Sequence, residues 1–151
     1  FDFVLIDCPA GIDEGFHRAV CAADEALVVT TPQPGAIRDA DKVLTLLGTY
    51  RLHAVGVIVN RVRGDLVVEG RCLSADEIAD VLGHPAMAYV PEDDAVAICG
   101  QTGAELSYAP SRRAMSMLAD NLVDGGRKLY DCTDGYRGVF GRLKMFLRRQ
   151  I

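Results

Sequence analysis

Short unbroken apolar runs, each halted by polar residues, recur along this chain at Phe3 to Ile6, Ala26 to Val29 and Val55 to Val59. A shorter run, Met87 to Val90, is halted by Pro91. A strand with one face in water alternates apolar and polar residues, whereas a continuous run suits a parallel strand covered on both faces. Helical spacing fills the intervals. Ile37, Ala40, Val43, Leu44 and Leu47 share one face while Arg38, Asp39, Asp41 and Lys42 occupy the other, which predicts a helix over Ala36 to Leu47. Ser74 and Glu77 form a capping box ahead of Ile78, Val81 and Leu82, and Gly83 followed by Pro85 ends that helix. Ser111 to Leu129 predicts a third long helix, with Ala114, Met117, Leu118, Leu122 and Leu129 inward. Strands alternating with helices imply right-handed crossovers, so the fold class is α/β, a mostly parallel sheet flanked by helices.

At 151 residues, 50% hydrophobic and 25% charged, the chain suits one domain with a substantial core. Cys8, Cys21, Cys72, Cys99 and Cys132 are widely spaced and include no CxxC pair, which points away from a zinc site or a disulfide framework and toward reduced thiols in the cytoplasm. His17, His53 and His84 form no ligand cluster with them. No secretory signal precedes the first apolar run, and no initiator methionine does either; the expectation is a chain that begins inside a larger protein.

In open parallel sheets ligands sit beyond the carboxyl ends of the strands. Those ends carry the polar signals here: Asp7 to Gly11, Thr30 to Pro32, Asn60 with Arg61, and Val90 to Asp93. A carboxylate closing a buried strand is the Walker B arrangement, in which Asp7 would hold Mg²⁺ near nucleotide phosphates. The same pattern also occurs as a plain strand terminus. Pro9, Ala10 and Gly11 form a tight turn whose backbone amides could sense a γ-phosphate. Cys8 reads as a packed small side chain, since no histidine neighbours it in sequence.

The last stretch, Gly138 to Ile151, is basic and amphipathic. On a helical wheel Val139, Phe140, Leu143, Phe146, Leu147 and Ile151 share an arc flanked by Arg142, Lys144, Arg148 and Arg149, with Met145 off the arc. With Arg137 the tail holds five of the 16 basic residues and none of the 21 acidic ones, so it opposes the body in sign. Anionic lipid attracts each basic residue by roughly 1 kcal/mol, and burial of the apolar arc adds about 25 cal/mol per Å². That suits reversible binding to a membrane surface; a span needs about 20 apolar residues. A helix folded back on the body, or one laid in a partner's groove, fits the same pattern.

In order along the chain, DCPAGID at 7 to 13, ADEALVVTTP at 23 to 32, RDADKVL at 38 to 44, VNR at 59 to 61, LSADEIADVLG at 73 to 83 and VPEDDAV at 90 to 96 resemble the MinD family. That family belongs to the deviant Walker A group of P-loop ATPases, alongside the ParA-type partition proteins. The resemblance implies ATP and Mg²⁺ as ligands, with Asp7 as the Walker B aspartate and Pro9, Ala10 and Gly11 as the switch after it. It implies that Asn60 and Arg61 contact the base and that Pro91, Glu92 and Asp93 close over the adenine. It further implies an ATP-dependent homodimer whose Asp39 and Asp41 face receives a MinC-like inhibitor and a MinE-like activator. The tail becomes a membrane-targeting helix that places the protein in the cytoplasm, peripherally on the inner face of the cell membrane, in a role in division-site placement.

The domain reading is a P-loop ATPase-like portion over 1–130, a linker over 131–138 and an amphipathic helix over 139–151. One departure stands out. No GxxxxGK[ST] is present: Lys42, Lys128 and Lys144 are the only lysines and none fits. The expectation is therefore the C-terminal portion of a longer ATPase, incomplete at its start and inactive alone, since an unpaired half-sheet is an aggregation hazard. Two other functions remain open: a non-catalytic, membrane-localised adaptor that displays Asp39 and Asp41, and a ParA-type partition ATPase. The acidic body speaks against the last, because nonspecific DNA binding needs basic surface, and no nucleic-acid partner is expected.

Overall fold

The computed structural model describes residues 1–8, 11–103, 109–138 and 141. Three parallel strands, β1 (Glu25–Thr30), β2 (Ala54–Val62) and β3 (Ala86–Pro91), form a sheet in that order. Around it run α1 (Glu14–Cys21), α2 (Pro34–Leu47), α3 (Gly64–Val68), α4 (Ala75–Leu82), α5 (Asp94–Thr102) and α6 (Pro110–Asp124), and a 3-10 turn follows at Asp134–Tyr136.

The sequence sets most of these boundaries through capping. Asp13 caps α1 by accepting from the Gly15 amide at 2.9 Å, and proline occupies the first turn of α2 and of α6. The Ser74 and Glu77 box caps α4 as expected, with the Ser74 amide 2.7 Å from Glu77 Oε2. α6 is shorter than its periodicity predicts. It ends at Asp124 because Gly125 takes a left-handed backbone, φ +67°, and stops the hydrogen-bond ladder. Leu129 still packs on the core, from the segment that follows the helix.

β2 and β3 are covered on both faces, as their continuous runs require, but β1 is covered on one only: Val28 and Thr30 are buried while Leu27 and Val29 are 37% and 59% exposed, because α6, which covers that face, sits over β3. Alternate residues Val57 and Val59, each 0% exposed, meet Val28, Tyr89, Leu44 and Leu47 of α2, Ile78 and Leu82 of α4, and Phe16 and Val20 of α1. Ile58, Ala88 and Val90 point the other way, onto Ala114 and Leu118 of α6. Burial of a single such aliphatic side chain contributes about 1.5–3 kcal/mol.

One expected strand does not form. Phe3 to Ile6 lie outside the sheet, with Phe3 61% and Leu5 88% exposed. An apolar run becomes a strand only where a neighbour supplies hydrogen-bond partners, and among the described residues β1 pairs with β2 alone. Cys8, read as packed, is accordingly exposed. The tail residues Phe140, Arg142, Leu143, Lys144, Phe146, Leu147, Arg148 and Arg149, and the turn residues Pro9 and Ala10, lie outside the described residues. Among the described residues no helix is long and apolar enough to cross a membrane.

Candidate functional site

The carboxyl ends of the three strands open onto a cleft of about 650 Å³, whose lining includes Thr31, Pro32 and Gln33 after β1, Arg61 and Arg63 at the end of β2, and Glu92 after β3. Its position follows from the parallel sheet, which aims all three strand ends at one rim. Its volume lies within the range of small-molecule sites.

Arg61 is the organising residue of this rim. β2 runs through Asn60 and Arg61 to Val62, further than the expected strand end, and its register with β3 is irregular between Val59 and Val62. Arg61 adopts φ +58° there, a left-handed backbone uncommon for a side-chain-bearing residue. The bulge turns the guanidinium toward the next strand end. Nε donates to Glu92 Oε2 at 2.9 Å and Nη2 to Oε1 at 3.2 Å, a fork-to-fork pair. That hydrogen bond and the negative charge of Glu92 raise the Arg61 pKa above its ordinary value. Asn60 fixes the turn by accepting the Arg61 amide on Oδ1 at 2.8 Å, while the Glu92 amide reaches back to the Val62 carbonyl at 2.9 Å.

A second fork lies two residues on. Arg63 Nε and Nη2 donate to the two carboxylate oxygens of Asp65 at 2.9 and 2.6 Å. The hydrogen bond from Arg63 holds the Asp65 carboxyl below the usual range, against a burial that acts the other way. Arg71 and Glu69, 3.4 Å apart, belong to the same cleft wall.

Asp93 has a different task from the one its neighbours suggest. Oδ1 accepts the Ala95 amide at 3.0 Å and so caps α5, while Oδ2 accepts the amide and hydroxyl of Ser111 at 3.1 and 2.8 Å. Both oxygens are committed to helix N-termini. Pro91 ends β3, half-buried.

The other expected site residues are dispersed. Asp7 is exposed in the segment outside the sheet, and Gly11 follows with φ +101°. Asp39 and Asp41 lie on the exposed face of α2, away from the core side that carries Ala40 and Leu44; Lys42 Nζ stands 3.0 Å from Asp39. Among the described residues no group of three His, Cys, Asp or Glu side chains is placed to hold a metal ion. Sequence reasoning did not single out Arg63, Asp65 or Ser111. The closely spaced opposite charges of Arg63 and Asp65 just past a buried run were the available signal; Ser111 offered none.

No family model matches the chain. Curated proteins and solved structures do. A putative septum site-determining protein MinD of Chlorella vulgaris is 39% identical over 150 residues, 97% of this chain and 53% of that protein. The Bacillus subtilis septum site-determining protein MinD is 34% identical over 97% of this chain and 56% of its own length. The MinD cell division protein of Aquifex aeolicus superposes with a TM-score of 0.79 at 34% identity, covering 85% of this chain and 56% of that one. The chain belongs to the MinD family. It spans about half the length of the curated relatives it matches. A MinC:MinD cell division protein complex from Aquifex aeolicus matches with a TM-score of 0.74 at 34% identity, over 80% of this chain and 51% of that one. The septum site-determining protein MinD of Pyrococcus horikoshii, complexed with Mg-ADP, matches at 0.69 and 29% identity, over 80% of this chain and 50% of that one.

Proposed function

We propose that this chain is a region of a MinD-like, membrane-associated ATPase acting in division-site placement, and that its rim cleft receives the base side of an adenine nucleotide. Membership of the MinD family along nearly the whole chain carries this reading. The cleft lies where an open parallel sheet binds ligands, and a solved MinD relative holds Mg-ADP.

In this reading Asn60 and Arg61 contact the base, and Pro91 and Glu92 close the adenine side. The Arg61 and Glu92 fork braces the two loops at a fixed separation before ligand arrives, which lowers the ordering cost of binding. Asp93 contributes by holding α5 and α6 behind the Glu92 loop. Asp7, with the turn Pro9, Ala10 and Gly11, would face the phosphates. Mg²⁺ is commonly held by one or two carboxylates together with phosphates and water; Asp7 can supply one carboxylate, but the described residues build no complete site, so no step is routed through the ion. Phosphoryl transfer depends on a phosphate cradle for positioning and charge stabilisation. These 151 residues contain no GxxxxGK[ST], and no hydrolytic step is assigned to them.

The terminal segment is the proposed membrane foot, with Phe140, Leu143, Phe146 and Leu147 entering the interface and Arg142, Lys144, Arg148 and Arg149 facing anionic lipid. Two such weak anchors acting together in an ATP-dependent homodimer would bind far more tightly than one. The exposed Asp39 and Asp41 face is the proposed docking surface for a MinC-like inhibitor and a MinE-like activator, and a MinC:MinD complex is among the solved relatives.

Titration of the chain with Mg·ADP, read by amide hydrogen exchange, tests the nucleotide part. Protection at residues 60–63 and 91–93 is expected; absence of protection there at millimolar nucleotide rejects the site. Sedimentation with anionic vesicles tests the foot, and the pair Phe146→Glu and Leu147→Glu should abolish it. Undiminished sedimentation of that variant rejects the foot.

A further inference from the structure

β3 is an outer strand of the sheet: among the described residues it pairs with β2 and with no strand beyond. Its six residues, Ala86–Pro91, carry no charge. An uncharged edge offers its amides and carbonyls to any other strand, and folded proteins blunt such edges with charges, bulges or a covering segment. One bulge is present. Val57 stands opposite Ala86 and Ile58 opposite Ala88, so Met87 is an extra residue on β3.

The covering segment is the strap that follows α6, residues 127–132. Tyr130 packs against both core clusters, which places it beyond β3, where the two faces of the sheet meet. Leu129 packs on the larger cluster. The far end of the strap is closed by Gly64 at the start of α3. Gly64 is buried so tightly against the Cys132 carbonyl that an added Cβ would run into it.

At the near end one side chain does the holding. Asn121 of α6, 2% exposed, donates through Nδ2 to the Met87 and Lys128 carbonyls at 3.1 and 2.8 Å and accepts the Lys128 amide on Oδ1 at 2.7 Å. Among the described residues no backbone hydrogen bond joins the strap to β3. The Asn121 amide is therefore the polar link between them, and it bonds to each as the peptide group of a neighbouring strand would. Position 121 continues the buried face of α6 that carries Ala114 and Leu118. Packing alone would be served there by an apolar residue, so the amide answers to the edge it binds.

We propose that Asn121 is a latch, which holds the strap over the outer edge of β3 and so keeps that edge from pairing with the same edge of a second copy of the chain. Two such edges meet about a two-fold axis as an antiparallel pair, each supplying what the other lacks. With the latch undone the Met87 carbonyl loses its partner and the strap its hold, and a second β3 is the nearest equivalent replacement. The latch does not rest on the nucleotide reading above.

Asn121→Leu fills a similar space and removes all three bonds. In the full chain, without nucleotide or lipid, hydroxyl-radical footprinting should find Tyr130 more reactive in this variant than in the wild type. Amide exchange at 86–91 should then slow as protein concentration rises, on the order of tenfold, while the wild type shows no such dependence. Exchange at Glu25–Thr30 should be alike in both proteins, which separates β3 from pairing at β1. Lys128→Pro removes the donor of the shortest bond from an exposed residue and sets a ring carbon against Asn121 Oδ1; it should act in the same way and decides the matter if Asn121→Leu does not fold. An unaltered Tyr130 overturns the proposal, and so does a released Tyr130 with exchange at 86–91 independent of concentration.

Discussion

The carboxylate of Asp93 takes both the backbone amide and the hydroxyl of Ser111, at 3.1 and 2.8 Å across 18 residues of chain, and so ties the end of β3 to the start of α6. With Ala95 it caps α5 as well. Burial opposes ionisation of Asp93, and the hydrogen bonds from Ser111 and Ala95 outweigh it, holding its carboxyl below the ordinary range. Its stabilising contribution is therefore complete above the unfolded-state pKa, near 4, and is lost as pH falls through the lower folded value. Asp93→Ala should cost about 1–3 kcal/mol at pH 7, and the difference from wild type should shrink below pH 4. Urea unfolding at both pH values measures it.

Arg61 lends itself to a separation of backbone from side chain. Its φ of +58° is disfavoured for any residue with a Cβ. Arg61→Gly should therefore be more stable than Arg61→Ala by about 1 kcal/mol. Both variants lose the fork to Glu92, and both should weaken Mg·ADP binding alike. Calorimetry for stability and nucleotide titration for affinity distinguish the two effects.

Ile78 is 0% exposed at the centre of the larger core, where α4 meets the sheet. Ile78→Ala removes buried methyl groups and leaves a cavity, and should cost about 2–5 kcal/mol. A fall in the denaturation midpoint with an unchanged slope on denaturant is the expected signature.

The five cysteines should divide by reactivity. Burial, with the nearby charges of Asp131 and Asp76, pushes the Cys132 thiol up to about 12, so at pH 8 it carries almost no thiolate. Cys8 and Cys21 are exposed. Mass spectrometry after iodoacetamide at pH 8 should find Cys8 and Cys21 alkylated and Cys132 unmodified until the chain is unfolded.

The rim was legible because a parallel sheet sends its strand ends to one side, and polar punctuation after each apolar run marks those ends. Arg61 and Glu92 were named from that rule alone, and they meet in space. The Asp93 role was not legible, because its partner Ser111 lies beyond a whole helix and no local pattern joins them. Phe3 to Ile6 shows the converse: a strand-like run whose hydrogen-bond partners are absent among the described residues stays outside the sheet.

By itself the sequence determined β1, β2, β3, α2, α4 and α6 and their order, though not α1, α3 or α5, and it marked a strand at Phe3 to Ile6 that does not form: apolar runs, helical spacing and capping residues act over a few neighbours, so their message is local. The tertiary structure alone decided that Arg61 turns onto Glu92 through a left-handed bulge, that Asp93 serves two helices, and that Gly64 closes on Cys132. Each depends on which segments stand side by side, and that is settled by packing of the whole core, where an apolar run specifies burial but not its neighbour.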